Sequence, residues 1–244
     1  MTSIHYGLDA PKLVRRFTIR AILFVACGVV LYVANLNEGP RLAAPLASVL
    51  CAIGLLFAIV AAVMVLSSRV AKPKIRDRIL DSIPWRGDEH VLDVGCGRGL
   101  FLIGAAKRLK TGKATGVDIW QSEDLSGNSA EATQANGKAE EVAGRIKIET
   151  ADARKLPFAA SSFDVVLSSL ALHNIPSSQE RTKALNEIAR VLKPGGYLAI
   201  FDIFHTSEYA KTFRQLAFTD VELSPMTFLW CVPTRTLTAR KAIG

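Results

Sequence analysis

The chain has 244 residues, of which 50% are hydrophobic, and it carries a formal net charge of +8 at pH 7. Its four cysteines are scattered, with no Cys-x-x-Cys pair and no Cys/His cluster, so the sequence predicts neither a metal site nor a disulfide framework. Much of the positive charge flanks two apolar segments and is nowhere interleaved with aromatic residues, which argues against nucleic acid as a partner.

Those two apolar segments lie near the N-terminus. Residues 42–66 contain no charged side chain, and 25 residues are enough to cross a hydrocarbon core of roughly 30 Å. Residues 17–36 form a second apolar run if the Arg20 side chain reaches toward the headgroups. We predict a transmembrane α-helical hairpin with spans at about 17–36 and 42–66, within a membrane segment of residues 1–69. The alternatives are a signal peptide, which the immediate second span opposes, and two buried core helices.

Basic residues are distributed unevenly around the predicted spans. Since lysine and arginine stay on the cytoplasmic side of a membrane, both termini and the domain that follows are expected in the cytoplasm, on an integral membrane protein with two spans. The residues that support this orientation are Lys12, Arg15, Arg16 and Arg20 before the first span, Arg69, Lys72, Lys74, Arg76 and Arg78 after the second, and Arg41 alone between them.

A glycine-rich turn follows the membrane segment. Residues 91–99 read Val-Leu-Asp-Val-Gly-Cys-Gly-Arg-Gly, an apolar strand that contains Asp93 and runs into glycines at alternate positions. Such a turn bends tightly and allows a ligand to approach the backbone, and the helix that follows directs its free N–H groups to the same place. The spacing matches neither the dinucleotide fingerprint nor the phosphate loop, so it favours a nucleoside-like ligand without phosphates. Asp118, 19 residues after Gly99, ends the next predicted strand and suits two ribose hydroxyls.

Apolar runs alternate with helical stretches along the rest of the chain, which predicts βαβ units and a parallel sheet with helices on both faces. The predicted strands are residues 90–94, 114–118, 145–150, 163–168, 197–203, 219–223 and 228–241, and the predicted helices are residues 99–109, 126–142, 178–192 and about 207–217. We also expect an amphipathic helix over residues 70–85, which either lies on the membrane or covers the ligand. Residues 193–196 are predicted to be a helix stop and tight turn.

Five stretches, in order, resemble motifs of the class I S-adenosylmethionine-dependent methyltransferases, and the resemblance covers residues 75–240. They are residues 91–99, 116–119, 149–153, 162–168 and 190–197. The resemblance implies a Rossmann-like domain at residues 70–244, with a seven-stranded, mostly parallel sheet and an antiparallel last strand. The implied cofactor is S-adenosylmethionine, which leaves as S-adenosylhomocysteine. The implied cofactor-binding residues are Asp93, Gly95, Cys96, Gly97, Gly99, Asp118 (ribose), Ile119, Asp152 (adenine amine), Ala153 and Ser168.

His173, just past the fourth predicted strand, is the candidate catalytic residue. Methyl transfer needs orientation, desolvation and, for some acceptors, a general base. At this position His173 either takes a proton or packs and caps the chain. His205, after the fifth strand, is a second candidate. Cys96 is expected to fill space in the turn rather than to react.

We therefore expect a membrane-anchored methyltransferase that acts on a small lipophilic acceptor such as an isoprenoid quinone, a lipid, or a hydrophobic thiol or phenol. Two alternatives stay open. In one, the acceptor is a soluble metabolite or a protein and the hairpin is only a tether. In the other, the chain is a non-catalytic S-adenosylmethionine-binding membrane module. The sequence does not indicate the accepting atom or the oligomeric state.

Overall fold

The computed structural model describes residues 6–38, 43–121, 125–229 and 232–243. These residues divide into two compact units. The helical unit comprises residues 8–71 with residues 125–126, and the α/β unit comprises residues 6–7, 72–121 and 127–243. The domain division expected between residues 69 and 70 stays a prediction.

The helical unit is built from two long helices, α1 (Pro11–Glu38) and α2 (Ala43–Leu66), followed by a π-helical turn at Ser67–Ala71. Glycines allow α1 and α2 to approach closely. A Cβ atom on Gly28 would lie 2.5 Å from Sγ of Cys51 and 2.8 Å from the carbonyl oxygen of Ala47. Small residues at a helix interface serve this purpose both in water and in lipid. The ring of Phe57 stacks on that of Phe17, with a centroid separation of 5.7 Å.

Two helical stretches, Pro11–Ala34 and Ala44–Asp81, are long and apolar enough to cross a membrane by length and composition. Only 11% of the apolar window of the first and 17% of that of the second is buried inside the protein. A core helix of a soluble protein would be mostly buried, so this exposure favours the predicted spans, whereas a signal sequence passes the same test of composition. Arg41, in the predicted connecting loop, lies outside the described residues.

The α/β unit is a mixed sheet flanked by helices. Its strands are β1 (His90–Val94), β2 (Lys113–Asp118), β3 (Ile146–Thr150), β4 (Phe163–Ser169), β5 (Leu192–Asp202), β6 (Phe218–Leu223), β7 (Thr227–Leu229) and β8 (Val232–Lys241). Its helices are α3 (Lys72–Asp81), α4 (Leu100–Arg108), α5 (Ala130–Ala139), α6 (Ser178–Val191) and α7 (Thr206–Gln215), with 3₁₀ turns at Ala143–Arg145 and Leu172–Asn174. The order across the sheet is β3-β2-β1-β4-β5-β8-β6, and β7 pairs with β8.

The predicted α/β fold is confirmed in its coarse form, but the expected number of seven strands was wrong, because the sheet has eight. The sheet is mixed in the way expected: the last strand, β8, runs antiparallel to β5, β6 and β7, and the pairs among β1 to β5 are parallel. The run predicted as one strand over residues 228–241 contains two strands that pair with each other, with Thr227 opposite Thr234. No glycine marks this reversal in the sequence, so the apolar run resembled a single strand.

Element boundaries also differ from those predicted. The helix expected over residues 126–142 is confined to α5, which begins after Ser129, whose hydroxyl accepts from the backbone N–H of Ala132 at 3.2 Å. The helix expected over residues 70–85 is α3, which is shorter. The turn expected at residues 193–196 lies inside β5, where it forms a bulge: Leu192 pairs with Phe163, and the next pair in register is Tyr197 with Val165. A positive φ of 74° at Gly195 accommodates this bulge.

The largest buried cluster lies between the sheet and the pair of helices α6 and α7. Leu198 and Ile200 of β5 form one row of it with Leu237 and Ala239 of β8, which they face directly across the antiparallel pair. This row continues along β5 to Asp202, which is fully buried at the carboxyl end of the strand. The core therefore ends in a polar side chain at the edge where the candidate site lies.

Candidate active site

The glycine-rich turn connects β1 to α4. Gly95, Gly97 and Gly99 have φ values of 72°, 52° and 85°, in the region that favours glycine. A Cβ atom on Gly95 would lie 2.2 Å from Cβ of Ala171, in the segment after β4. The turn therefore packs directly on the segment that carries His173.

The N–H groups of this turn are used mostly within the protein. Gly95 and Cys96 donate to the carbonyl oxygen of Val117 at 2.8 and 3.0 Å, Gly97 donates to Oδ2 of Asp118 at 2.8 Å, and Gly99 donates to the carbonyl oxygen of Cys96 at 2.8 Å. The turn therefore shapes the floor of a site. The first turn of α4 follows, and its N–H groups have no partner within the helix.

Asp118 is the centre of a hydrogen-bond network at the end of β2. Its Oδ2 accepts from Gly97, and its Oδ1 accepts from the backbone N–H of Trp120 at 2.6 Å and from Nδ2 of Asn128 at 3.3 Å. A carboxylate offers about four acceptor positions, so one remains for a hydroxyl group. Asp118 thus fixes the glycine turn and can still accept from a ribose.

Asp93 is buried beside this network. Its side chain is 1% exposed, and neither carboxylate oxygen makes a hydrogen bond of good geometry among the described residues, although the backbone N–H of Leu102 lies near enough to favour the charged form. Burial raises the pKa of Asp93 to about 7, the backbone N–H of Leu102 opposes this rise, and the charge of Asp118 adds to it. A buried carboxyl group without a partner calls for an explanation, and a cationic or amino group of a ligand would supply one.

Cys96 lies beneath the turn, where its Sγ atom fills the space over Gly116. Burial, with the charges of Asp93 and Asp118, raises the pKa of the Cys96 thiol well above its usual value. Because the thiolate is the reactive form, this environment fits the space-filling role expected for the side chain.

The remaining predicted cofactor residues have different environments. Asp152 is half-buried, and its carboxylate accepts from Nε and Nη2 of Arg154 at 2.9 and 2.5 Å, which lowers the pKa of Asp152. It is thus already paired. Ser168 is 1% exposed and donates to the carbonyl oxygen of Val94 at 2.9 Å, so its hydroxyl ties β4 to β1. Ile119 is 51% exposed, and Ala153 is half-buried.

His173 is held by Asp202. Its Nδ1 lies 2.6 Å from Oδ1 of Asp202, and its backbone N–H donates to Oδ2 at 3.1 Å. Asp202 also accepts from the backbone N–H of Ile203 at 2.8 Å and from the hydroxyl of Tyr209 at 3.4 Å. A carboxylate can only accept, so Nδ1 is the nitrogen that donates to Asp202, and Nε2 is the ring nitrogen left to exchange a proton.

His205, the second candidate, has a different position. It precedes α7 with a φ of 61°, and its side chain is 40% exposed, with Nδ1 3.5 Å from a carboxylate oxygen of Glu208. It is therefore a surface residue at a helix start. Ala171, two residues before His173, is the residue that packs against the glycine turn.

Sequence reasoning missed Asp202, Trp120, Asn128 and Thr133. Thr133 of α5 donates to the carbonyl oxygen of Gly97 at 2.6 Å, and the indole N–H of Trp120 donates to Oγ1 of Thr150 at 2.8 Å. The position of Asp202 at the end of a predicted apolar strand was a signal available in the sequence, since Asp93 and Asp118 have comparable positions.

These residues suit S-adenosylmethionine. Its ribose hydroxyls match the open acceptor position on Asp118, and its cationic sulfonium and amino groups match the unpartnered carboxyl of Asp93. Asp152 matches less directly, because Arg154 already binds its carboxylate.

A Rossmann-like sheet, a glycine turn after β1 and an acid after β2 are typical of nucleoside-binding α/β domains. Residues 92–200 match the family described as "Methyltransferase domain". The match covers 109 of the 244 residues, so this part of the chain is similar to that domain.

Two relatives illustrate the similarity. The sterol 4-C-methyltransferase strm-1 of Caenorhabditis elegans is 38% identical over 133 residues, which are 54% of this chain and 36% of the relative. The demethylmenaquinone methyltransferase of Lactiplantibacillus plantarum is 33% identical over 128 residues, 52% of this chain and 50% of the relative. The chain thus spans half or less of the length of these relatives.

Solved structures share the fold. The chain resembles the [4+2]-cyclase SpnF with a TM-score of 0.57 and 19% identity, over 72% of this chain and 84% of the other. It resembles a SAM-dependent methyltransferase from Aquifex aeolicus with a TM-score of 0.55 and 16% identity, over 74% and 97%. The first of these proteins is a cyclase, so the fold alone does not specify the reaction.

Proposed function

We propose that this protein is a membrane-anchored methyltransferase that moves a methyl group from S-adenosylmethionine to a small lipophilic acceptor. The observation that carries the proposal is the pairing of His173 with buried Asp202, in a segment whose Ala171 packs on the glycine turn. A basic nitrogen is thereby fixed next to the residues that suit the cofactor.

The residues have distinct roles in this proposal. Asp118 and the turn bind and orient the nucleoside, and Asp93 faces its cationic part. When bound, S-adenosylmethionine supplies an electrophilic methyl group. His173 accepts a proton at Nε2 from the acceptor, and Asp202 stabilises the imidazolium that forms, as a buried carboxylate does in other His–Asp pairs. This arrangement favours an acceptor whose O–H or N–H proton leaves during the reaction.

Two considerations support a lipophilic acceptor. The relatives include proteins named for a sterol and for demethylmenaquinone, both lipophilic molecules. The chain also carries two helices long and apolar enough to span a membrane. An enzyme held at a bilayer meets acceptors that dissolve in it.

Transfer of a radiolabelled methyl group tests the proposal. The full chain, purified in detergent, is incubated with labelled S-adenosylmethionine and with total membrane lipid or a cytosolic extract. We expect label in the organic phase with the lipid acceptor, and less than a tenth of it with the His173→Gln variant. Label only in the cytosolic fraction would replace the lipophilic acceptor by a soluble one. If the chain binds the cofactor but transfers label to neither fraction, the proposed methyltransferase activity is refuted.

The anchor is tested separately by accessibility. Basic residues on both flanks favour an orientation with both termini in the cytoplasm. We expect a cysteine introduced at Arg41 to react with an impermeant maleimide added outside intact cells, and one introduced at exposed Lys211 to react only after lysis. Equal labelling of both, or release of the chain from membranes by carbonate, would contradict the two-span anchor.

A further inference from the structure

The exposed apolar side chains of the α/β unit are concentrated at one edge. Six large ones are exposed among its described residues: Ile119, Phe204, Leu216, Met226, Phe228 and Ile243. Four of them, Ile119, Phe204, Met226 and Phe228, follow the carboxyl end of β2, β5 or β6. These three strands run in the same direction, and β5 and β6 do so because both are antiparallel to β8. The edge that holds His173 is therefore also the most apolar part of this surface.

A short β-ribbon extends this edge. Asp202, the last residue of β5, pairs with Arg235 of β8, and the three preceding residues of β8 pair only with β7. At about 3.4 Å per residue, the ribbon projects roughly 10 Å beyond β5. Hydroxyl groups brace it, since Oγ1 of Thr227 lies 2.9 Å from Oγ1 of Thr234. Phe228, on the ribbon, is 68% exposed.

Phe204 lies beside the His–Asp pair. It lies two residues after Asp202, its ring centroid is 6.3 Å from that of His173, and its side chain is 52% exposed. An exposed apolar ring therefore lies beside the imidazole of His173. We call Phe204, Met226 and Phe228 the apolar rim.

One cation belongs to the same edge. Paired residues of antiparallel strands share a face, so Arg235 lies on the face of Asp202 and continues the row of Leu237 and Ala239. The Nε atom of Arg235 is buried and has no hydrogen-bond partner among the described residues. Buried polar atoms are normally satisfied, so this half-buried side chain has a donor, Nε, that is free for a ligand.

We propose that the apolar rim and Arg235 form the acceptor site, and that the acceptor combines an apolar body with an acidic or anionic oxygen. Arg235 binds the oxygen by charge-assisted hydrogen bonds, and Phe204, Met226 and Phe228 cover the apolar body. This inference rests on the proposed function, because it assumes that His173 faces the acceptor. It adds the chemical class of the acceptor's polar group, which neither the predicted membrane anchor nor the His–Asp pair specifies.

Probe binding to the full chain, loaded with S-adenosylhomocysteine in detergent, tests this site by calorimetry. The probes are 4-hexylbenzoate, which has both proposed features, 4-hexylbenzyl alcohol, which lacks the charge, and benzoate, which lacks the tail. We expect Arg235→Gln to weaken 4-hexylbenzoate about tenfold and to leave the alcohol unchanged. We expect Phe228→Ser to weaken both hexyl probes about tenfold and to leave benzoate unchanged.

Matched controls come from the same unit. Arg78→Gln and Ile243→Ser remove an exposed arginine and an exposed apolar side chain elsewhere, and they should change no probe affinity. All variants should bind S-adenosylhomocysteine with the wild-type affinity. Wild-type protein that binds neither hexyl probe saturably, or an Arg235→Gln variant that treats the charged and neutral probes alike, would overturn the proposal.

A membrane contact is the competing use of the rim. Phe228→Trp, compared with wild type in nanodiscs of brominated lipid, reports whether residue 228 enters the bilayer. Absence of extra quenching is expected, and strong quenching would overturn the acceptor site. Since no methyl transfer is measured here, a chain that binds the probes as expected but transfers nothing would refute the proposed activity and leave the binding site standing.

Discussion

Ala171 occupies the space that a side chain on Gly95 would need, with the two Cβ positions 2.2 Å apart. This contact joins the cofactor turn after β1 to the segment after β4, whose 3₁₀ turn carries His173. A change at Gly95 therefore affects both halves of the site, the residues that suit the cofactor and the residue proposed to take the proton.

Gly95→Ala should accordingly lower both stability and cofactor binding. The substitution forces a positive φ on alanine, which costs about 1–2 kcal/mol, and adds the steric clash with Ala171. We expect a lower melting temperature and at least tenfold weaker binding of S-adenosylhomocysteine by calorimetry.

The matched control is Gly144→Ala, because a Cβ atom there meets nothing within 4 Å. It should be neutral in both measurements. The double variant Gly95→Ala with Ala171→Gly removes the clash and should recover part of the loss. An unchanged affinity in Gly95→Ala would show that the turn does not limit the cofactor site.

Asp118→Ala should weaken S-adenosylhomocysteine by about tenfold to a hundredfold. It removes an acceptor for the ribose and also releases the N–H groups of Gly97 and Trp120, and hydrogen bonds to a charged group contribute about 1.5–3 kcal/mol. Asp118→Asn, which keeps one acceptor oxygen, should be intermediate. Exposed Asp220→Asn serves as control, and an equal loss in that variant would point to a general charge effect.

His173→Gln should lower kcat by about a hundredfold, with the affinity for S-adenosylhomocysteine within twofold of wild type. Asp202→Asn should lower kcat as well, because the amide no longer stabilises the imidazolium, and should also lower the melting temperature, since Asp202 accepts from Ile203 and Tyr209 in the core. His90→Gln, at an exposed strand start, is the control. Full activity of His173→Gln would assign the residue a packing role.

Local sequence predicted the first half of the site well. β1 begins and ends at the predicted residues, His90 and Val94, because an apolar strand that runs into glycines leaves little freedom in its boundary. Asp118 lies at the end of β2 for the same reason. These positions depend on neighbours in the chain, so the sequence alone specified them.

The second half depended on pairing between distant residues. Asp202 and His173 are 29 residues apart, and they meet because β4 and β5 are adjacent and in register. Likewise, the reversal between β7 and β8 depends on the pairing of Thr227 with Thr234. The sequence shows that Asp152 and Arg154 are only two residues apart, but it does not show that their side chains form an ion pair.

Asp93 should make the stability of the cofactor-free protein depend on pH. Its carboxyl group has a pKa of about 7 in the folded state, raised chiefly by burial, against 3.8 for an ordinary aspartate. Between these values the folded state holds a proton that the unfolded state has released, so the free energy of unfolding falls as the pH rises from about 4 to about 7. The difference corresponds to a few kcal/mol, on the order of 4 at most, because each unit of pKa is about 1.4 kcal/mol.

Asp93→Asn removes this titration and isolates it from that of other groups. We expect the stability of wild type relative to Asp93→Asn to decrease from pH 4.5 to pH 7 and to become constant above that, in thermal melts of the detergent-purified chain without cofactor. Parallel melting curves across this range would show that Asp93 does not hold a proton in the folded state. If Asp93 faces the cationic part of the cofactor, added S-adenosylmethionine should flatten the wild-type profile, because the ligand's charge favours the ionised carboxylate and lowers its pKa.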